Sequence, residues 1–128
     1  MTGWVLIVDD EEMIRENLKA YLEDEGLRVA AFEAVTPALR WLLDGSHCRV
    51  CITDLRLPDM DGNTAIRTLH RLCPDMDFLI HTGSSNYSLP EDLRTMGLDN
   101  ACVYQKPLSD MAPLAAAVRE LVLRENRP

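Results

Sequence analysis

Apolar residues fall into five short runs, each followed by a stretch in which they recur every three or four positions. Trp4-Val5-Leu6-Ile7-Val8 is continuously apolar, as expected of a parallel strand covered on both faces. Ile14, Leu18, Tyr21 and Leu22 then stand at i, i+4, i+7 and i+8. That is the buried stripe of a helix, and Gly26 should end it. Leu27 to Phe32 reads as a second strand. Thr36-Pro37 predicts a helix start, a hydroxyl cap followed by Pro at the first position. Leu39, Leu42 and Leu43 supply that helix's buried face and Gly45 its stop. Val50 to Thr53 is a β-branched third strand, after which Pro58 and Asp59-Met60-Asp61-Gly62 mark a turn. A third helix carries Ile66, Leu69 and Leu72 as far as Pro74. Phe78-Leu79-Ile80 is a fourth strand, ending in His81-Thr82-Gly83, with loop from Ser84 to Leu89. Pro90 opens a short helix holding Leu93 and Met96, stopped by Gly97. Ala101 to Tyr104 is a fifth strand. Ser109 or Asp110 caps a last helix with Leu114, Val118, Leu121 and Val122 inside, and Arg124 to Pro128 reads as its frayed end. Pro113 falls in the first turn, where a missing N–H is tolerated.

Five strand–helix alternations predict a single α/β domain over residues 1–128, a parallel sheet joined by right-handed crossovers with helices on both faces. A chain of 128 residues can bury its own core without metal or disulfide staples. The charge of −8, from 21 acidic against 13 basic residues, argues against a general nucleic-acid surface. Trp4 to Val8 is too short for a secretory or membrane segment and lacks a basic lead, so the expected location is the cytoplasm, without membrane contact. Cys48 and Cys51 form a C-x-x-C, but no second pair or matching histidines complete a zinc site. Cys51 lies inside a strand rather than opening a helix, unlike a redox pair. Cys48, Cys51, Cys73 and Cys102 are expected as free, largely buried thiols. His47, His70 and His81 read as structural or exposed.

Ligands of an open α/β sheet collect beyond the carboxyl ends of its strands. There the first strand delivers Asp9 and Asp10, the third Asp54, the fourth Thr82 and the fifth Lys106. Carboxylates brought that close repel one another, and a divalent cation resolves the conflict. Oxygen donors without His or Cys favour Mg²⁺, or Mn²⁺, over zinc. Lys106 adds a compact cation for a phosphoryl oxygen, and Thr82 a hydroxyl donor. Together they form a cradle for a phosphoryl group, with Asp54 as the nucleophile.

In these residues the chain resembles the receiver domain of two-component response regulators, from about Trp4 to Val122. The matching pieces are Val8-Asp9-Asp10-Glu11, Asp54 with Leu57-Pro58-Asp59-Met60-Asp61-Gly62, Thr82-Gly83 and Lys106-Pro107. The resemblance implies a flavodoxin-like sheet in the order 2-1-3-4-5. It implies that Asp54 accepts phosphoryl from a phosphohistidine on a sensor kinase or phosphotransfer protein. It also implies that Asp9, Asp10, Asp54 and the backbone carbonyl of Arg56 hold Mg²⁺, while Thr82 and Lys106 hold phosphoryl oxygens. Such a domain catalyses its own phosphorylation and dephosphorylation but is mainly regulatory. Homodimerisation or a covalently linked effector would carry its output.

Two features depart from that pattern. The family's aromatic switch position, three before the Lys of Lys-Pro, holds Val103, and Tyr104 comes one residue later. Strand alternation aims the two at opposite faces and places Tyr104 in the core, so either a bulge re-aims Tyr104 or the coupling of Thr82 to an aromatic is absent. The segment from Gly97 to Lys106 is also about two residues longer than the family pattern, and the helix after Pro90 is short. Arg56, two residues beyond Asp54, could lean over the site and alter the access of water. Other classes would carry different marks. A haloacid-dehalogenase-type phosphatase needs Asp-x-Asp after the first strand, where this chain has Asp9-Asp10-Glu11-Glu12. A flavodoxin-like carrier needs a Ser/Thr/Gly-rich phosphate loop there, and a P-loop enzyme its Gly-x-x-x-x-Gly-Lys. A receiver-like docking module independent of phosphorylation would not need all of Asp9, Asp10, Asp54, Thr82 and Lys106.

Overall fold

A computed structural model describes residues 4–124. The elements run β1 (Trp4–Val8), α1 (Glu12–Asp24), β2 (Val29–Phe32), α2 (Val35–Leu43), β3 (Cys48–Thr53), α3 (Gly62–Leu72), β4 (Asp77–Thr82), α4 (Glu91–Thr95), a 3-10 turn (Asn100–Cys102), β5 (Val103–Gln105) and α5 (Ala112–Arg124). All neighbouring strands are parallel, in the order β2-β1-β3-β4-β5. This is the flavodoxin-like order that the resemblance implies.

Strand alternation divides the core into two layers. Leu6, Val8, Cys51, Phe78 and Ile80 face one side, where Val35 and Ala38 of α2, Ile66 and Leu69 of α3 and Leu93 of α4 cover them. Val5, Ile7, Val50, Ile52 and Leu79 face the other, against Leu18 and Leu22 of α1 and Leu114 and Val118 of α5. Cys48 and Cys51 share the first layer despite an odd spacing. A register shift causes this, because Trp4 stands opposite Cys48 while Val5 stands opposite Val50. Both are buried and neither forms a disulfide, as expected; Cys73 and Cys102 are half-buried and likewise outside any disulfide.

Several boundaries differ from the sequence reading. Helix α2 starts at Val35, one residue before Thr36, and its N-cap is Ala34. Its exposed amides are satisfied from another loop instead. Asp59 accepts hydrogen bonds from Val35 N–H (3.2 Å), Thr36 N–H (2.8 Å) and the Thr36 hydroxyl (2.8 Å). Leu43 and Leu72, expected in the core, are 69% and 39% exposed. Each lies at the last position of its helix, one residue or one turn beyond the buried stripe. Strand β5 begins at Val103 rather than Ala101, because the extra residues after Gly97 wind into the 3-10 turn, capped by Asp99. Helix α4 is indeed short, with five residues. Gly26, with φ +89°, ends α1 as predicted. Asp110, one of the two proposed caps of α5, accepts from Ala112 N–H at 2.9 Å. The frayed end assigned to Arg124–Pro128 lies outside the described residues beyond Arg124.

Candidate functional site

The parallel register sets the site. Asp54 N–H donates to the Val8 carbonyl (3.0 Å), which continues the β1–β3 ladder and places Asp54 beside Asp9. Lys106 N–H donates to the Thr82 carbonyl (2.8 Å), so the β4–β5 ladder ends with Lys106 at the same edge. Arg15 of α1 donates to the Asp9 carbonyl (2.9 Å) and fixes the loop behind it. Gly62, the first residue of α3, lies so close to the Asp54 loop that an added Cβ would sit 2.5 Å from Leu55 Cα and 2.6 Å from the Asp54 carbonyl oxygen. The side-chain-free contact there holds the Asp54–Arg56 turn against the helix.

Three acids converge on one amine. Lys106 Nζ lies 2.8 Å from Asp54 Oδ2, 3.0 Å from Asp9 Oδ2 and 2.7 Å from Glu11 Oε1. The other Asp54 oxygen, Oδ1, accepts from Leu55 N–H (2.6 Å) and lies 3.5 Å from the Arg56 amide. Asp9 and Asp54 are buried, at 2% and 6% exposure. Burial pushes the Asp9 carboxyl up, against the opposing hydrogen bonds from Glu11 N–H and Lys106. Burial alone would lower the Lys106 amine, but its bonds to Asp54, Glu11 and Asp9 outweigh it and hold the amine above the ordinary lysine range. Oxygens of Asp9, Glu11 and Asp54 all lie within 4.8 Å of one another. An all-oxygen set of that size suits a hard divalent cation.

A cleft of about 360 Å³ opens over these groups, lined by Asp10, Glu11, Asp54, Arg56, Thr82, Gly83 and Ser84. The structure therefore brings Asp9, Asp54 and Lys106 into direct contact and puts Thr82 on the cleft wall. Thr82 is buried, and its hydroxyl accepts from Ser84 N–H at 3.0 Å. Asp10 is exposed on the wall and is not among the three converging carboxylates. Glu11 was given no role of its own from the sequence, yet it is the third carboxylate on Lys106. Its signal was its place in the Val8–Glu11 motif. The Arg56 backbone pairs with that of Asp61 in an isolated antiparallel bridge across the turn, and Arg56 lines the cleft. On β5, Val103 packs into the α2–α3–α4 layer and Tyr104 into the α1–α5 layer, as alternation predicts. No bulge re-aims Tyr104. The Lys106–Pro107 peptide is cis.

Among the described residues no helix is long and apolar enough to cross a membrane. Comparison with known proteins agrees with the geometry. The family model of the response regulator receiver domain matches residues 5–119. The chain is 31% identical over 132 residues to the C4-dicarboxylate transport transcriptional regulatory protein DctD of Pseudomonas aeruginosa, covering 96% of this chain and 27% of DctD. It is 30% identical over 120 residues to the transcriptional regulatory protein FixJ of Rhizobium meliloti, covering 93% of this chain and 57% of FixJ. The chain thus spans about a quarter of the first relative and just over half of the second. Among solved structures, a receiver domain protein of Clostridium thermocellum superposes with TM-score 0.78 at 27% identity over 96% of each chain. The response regulator TrrA of Thermotoga maritima, in complex with Mg²⁺–BeF, superposes with TM-score 0.75 at 27% identity, over 93% of this chain and 98% of that one. A converging acid–lysine pocket at the sheet edge, a family match across nearly the whole chain and these relatives lead to one conclusion: this chain belongs to the receiver domain family of two-component response regulators.

Proposed function

We propose that Asp54 is the phosphoacceptor of this receiver domain. The observation that carries the reading is the contact of Lys106 Nζ with both Asp54 Oδ2 and Asp9 Oδ2 at the floor of the cleft that Thr82 lines. An Asp54 oxygen attacks the phosphorus of a phosphohistidine on a sensor kinase or phosphotransfer partner. The new O–P bond forms as the P–N bond breaks, and the leaving imidazole keeps the electron pair. Lys106 offsets charge on the transferring group, and Thr82 gives up its local turn to donate its hydroxyl to a phosphoryl oxygen. Positioning by the strand ends supplies most of the remaining effect. Asp9, Asp54 and the Arg56 carbonyl would hold Mg²⁺, or Mn²⁺. Of the two acids after Asp9, Asp10 stands on the cleft wall and Glu11 in the carboxylate trio. When bound, the cation offsets negative charge on the carboxylates and the transferred group.

The product is an acyl phosphate that hydrolyses, so the state is transient and self-limiting. Recruitment of Thr82 then biases the β4–α4 loop toward an active arrangement. DctD and FixJ are longer transcriptional regulators, which supports an output on a linked or docked effector, or through a second copy; the cytoplasm is the location this reading proposes. The test is chemical trapping after phosphorylation with Mg²⁺ present. Borohydride reduction converts an aspartyl phosphate to homoserine, and peptide mass analysis should find homoserine at position 54. Homoserine at another acid, or none while phosphate is retained, would refute the assignment.

A further inference from the structure

His81 is a buried polar residue that this mechanism leaves without a role. It is 4% exposed, and neither ring nitrogen has a hydrogen-bond partner. Buried side-chain nitrogens are seldom left so. Its position follows from the sheet. Thr53 pairs with Ile80, and His81 pairs with Tyr104. One step along the same ladder places His81 beside Asp54. Two residues earlier on these strands, Ile52 and Leu79 face α1 and α5, as Tyr104 does on β5. By alternation Asp54 and His81 face the same side.

The sheet order then matters. Lys106 follows β5, Asp54 follows β3, and β4 lies between them. To reach Asp54 Oδ2 at 2.8 Å and Asp9 Oδ2 at 3.0 Å, the lysine must cross β4. On that face the residue it crosses is His81. The electrostatics agree. Burial is the main influence holding the imidazole neutral and the Lys106 charge reinforces it, while the Asp54 and Glu11 carboxylates pull the other way.

An ammonium has three N–H donors, and Lys106 directs its donors to Asp54, Asp9 and Glu11. A phosphoryl oxygen on Asp54 calls for one of them, and a cation shared by the acids weakens the others' hold. The geometry points to His81 as a positioning residue for Lys106: its neutral ring offers a nitrogen acceptor, directly or through one buried water, that keeps the lysine aimed across β4 at Asp54. The inference rests on the reading of Asp54 as phosphoacceptor and deepens it. An apolar side chain would fill the same space but could not accept the bond.

The test compares wild type, His81→Leu, His81→Gln and Asp54→Ala, with acetyl phosphate and Mg²⁺ as the probe. His81→Leu should slow labelling of Asp54 about three- to tenfold, the effect of one hydrogen bond, while its melting temperature stays level or rises. His81→Gln, which restores a polar acceptor, should recover most of the rate. In wild type, ¹⁵N NMR of the His81 ring should show its unprotonated nitrogen shift on addition of Mg²⁺ and beryllofluoride. Labelling of His81→Leu at the wild-type rate, or a ring signal unmoved by beryllofluoride, would overturn the role. So would equal slowing in the Leu and Gln variants. If wild type labels no better than Asp54→Ala, the phosphoacceptor reading falls, and this role with it.

Discussion

Replacing Lys106 by Met removes the charge that Asp9, Glu11 and Asp54 share while keeping most of the side chain's volume. Its three partners are not equivalent. The Glu11 side chain is 55% exposed, and an exposed pair contributes at most about 1 kcal/mol. Asp9 and Asp54 have side chains only 3% and 7% exposed, and stripping the partner from a buried pair costs about 3–5 kcal/mol. The cleft admits water and ions, so the low end applies, about 3 kcal/mol of stability at neutral pH without divalent cation. Two dependences follow. Asp9 has a carboxyl raised above 3.8, so its protonated form is favoured in the fold. That contribution is complete below pH 3.8 and is lost as pH rises through the folded value, so the deficit of Lys106→Met should narrow on acidification. Mg²⁺ should restore the variant more than it stabilises wild type, since no ammonium competes for the same oxygens; at a hundredfold over Kd the gain is about 2.7 kcal/mol. The assay is urea unfolding of both proteins with EDTA and with saturating Mg²⁺. Equal stability of the two proteins in EDTA, or an equal Mg²⁺ gain in both, would refute the claim that Lys106 and a cation share the Asp9–Asp54 carboxylates.

Other expected outcomes follow from the same geometry. Asp59→Ala strips the N-terminus of α2 of its cap and should cost about 1 kcal/mol, read as a fall of the thermal midpoint by several degrees. Burial is the largest single influence and raises the Asp59 carboxyl, but the Thr36 and Val35 bonds together prevail and lower it below 3.8. Its stabilisation is therefore present above pH 3.8 and lost as pH falls through the folded value, so the difference from wild type should vanish in acid. Gly62→Ala forces a Cβ into the Asp54 turn. It should destabilise by about 1–3 kcal/mol and slow phosphorylation, and a variant with wild-type stability and rate would show that the turn yields freely. Arg56→Ala should change the lifetime of phospho-Asp54, measured as decay of the phosphate after donor removal. An unchanged decay rate would make Arg56 a solvated loop residue.

Much of this was legible in the chain. Strands covered on both faces leave continuous apolar runs, so β1 and β4 stood out at once. Asp9, Asp54, Thr82 and Lys106 could be assembled because parallel strands share one edge. Alternation placed Val103 and Tyr104 correctly. What was missed depended on distance or on helix ends. The cap of α2 comes from Asp59, 24 residues away, which no local signal at Thr36-Pro37 announces. Leu43 adjoins a buried Leu42, and a rotation of about 100° per residue turns it outward. The choice between Asp10 and Glu11 depends on how the chain enters α1: the Glu11 amide folds back onto Asp9 Oδ1 at 2.9 Å, leaving Asp10 exposed. His81 was read as structural or exposed; it is buried, and the absence of a partner for its ring is visible only in three dimensions.

Uptake of phosphoryl by Asp54, in a pocket closed by Lys106 and the Asp9 carboxylate, is the step on which the rest depends. Its most direct test is intact-mass analysis of wild type and Asp54→Ala after incubation with Mg²⁺ and a small acyl-phosphate donor. A single phosphate adduct on wild type alone, lost on standing and absent when EDTA replaces Mg²⁺, is the predicted result. Equal labelling of the two proteins, or none of either, would contradict it.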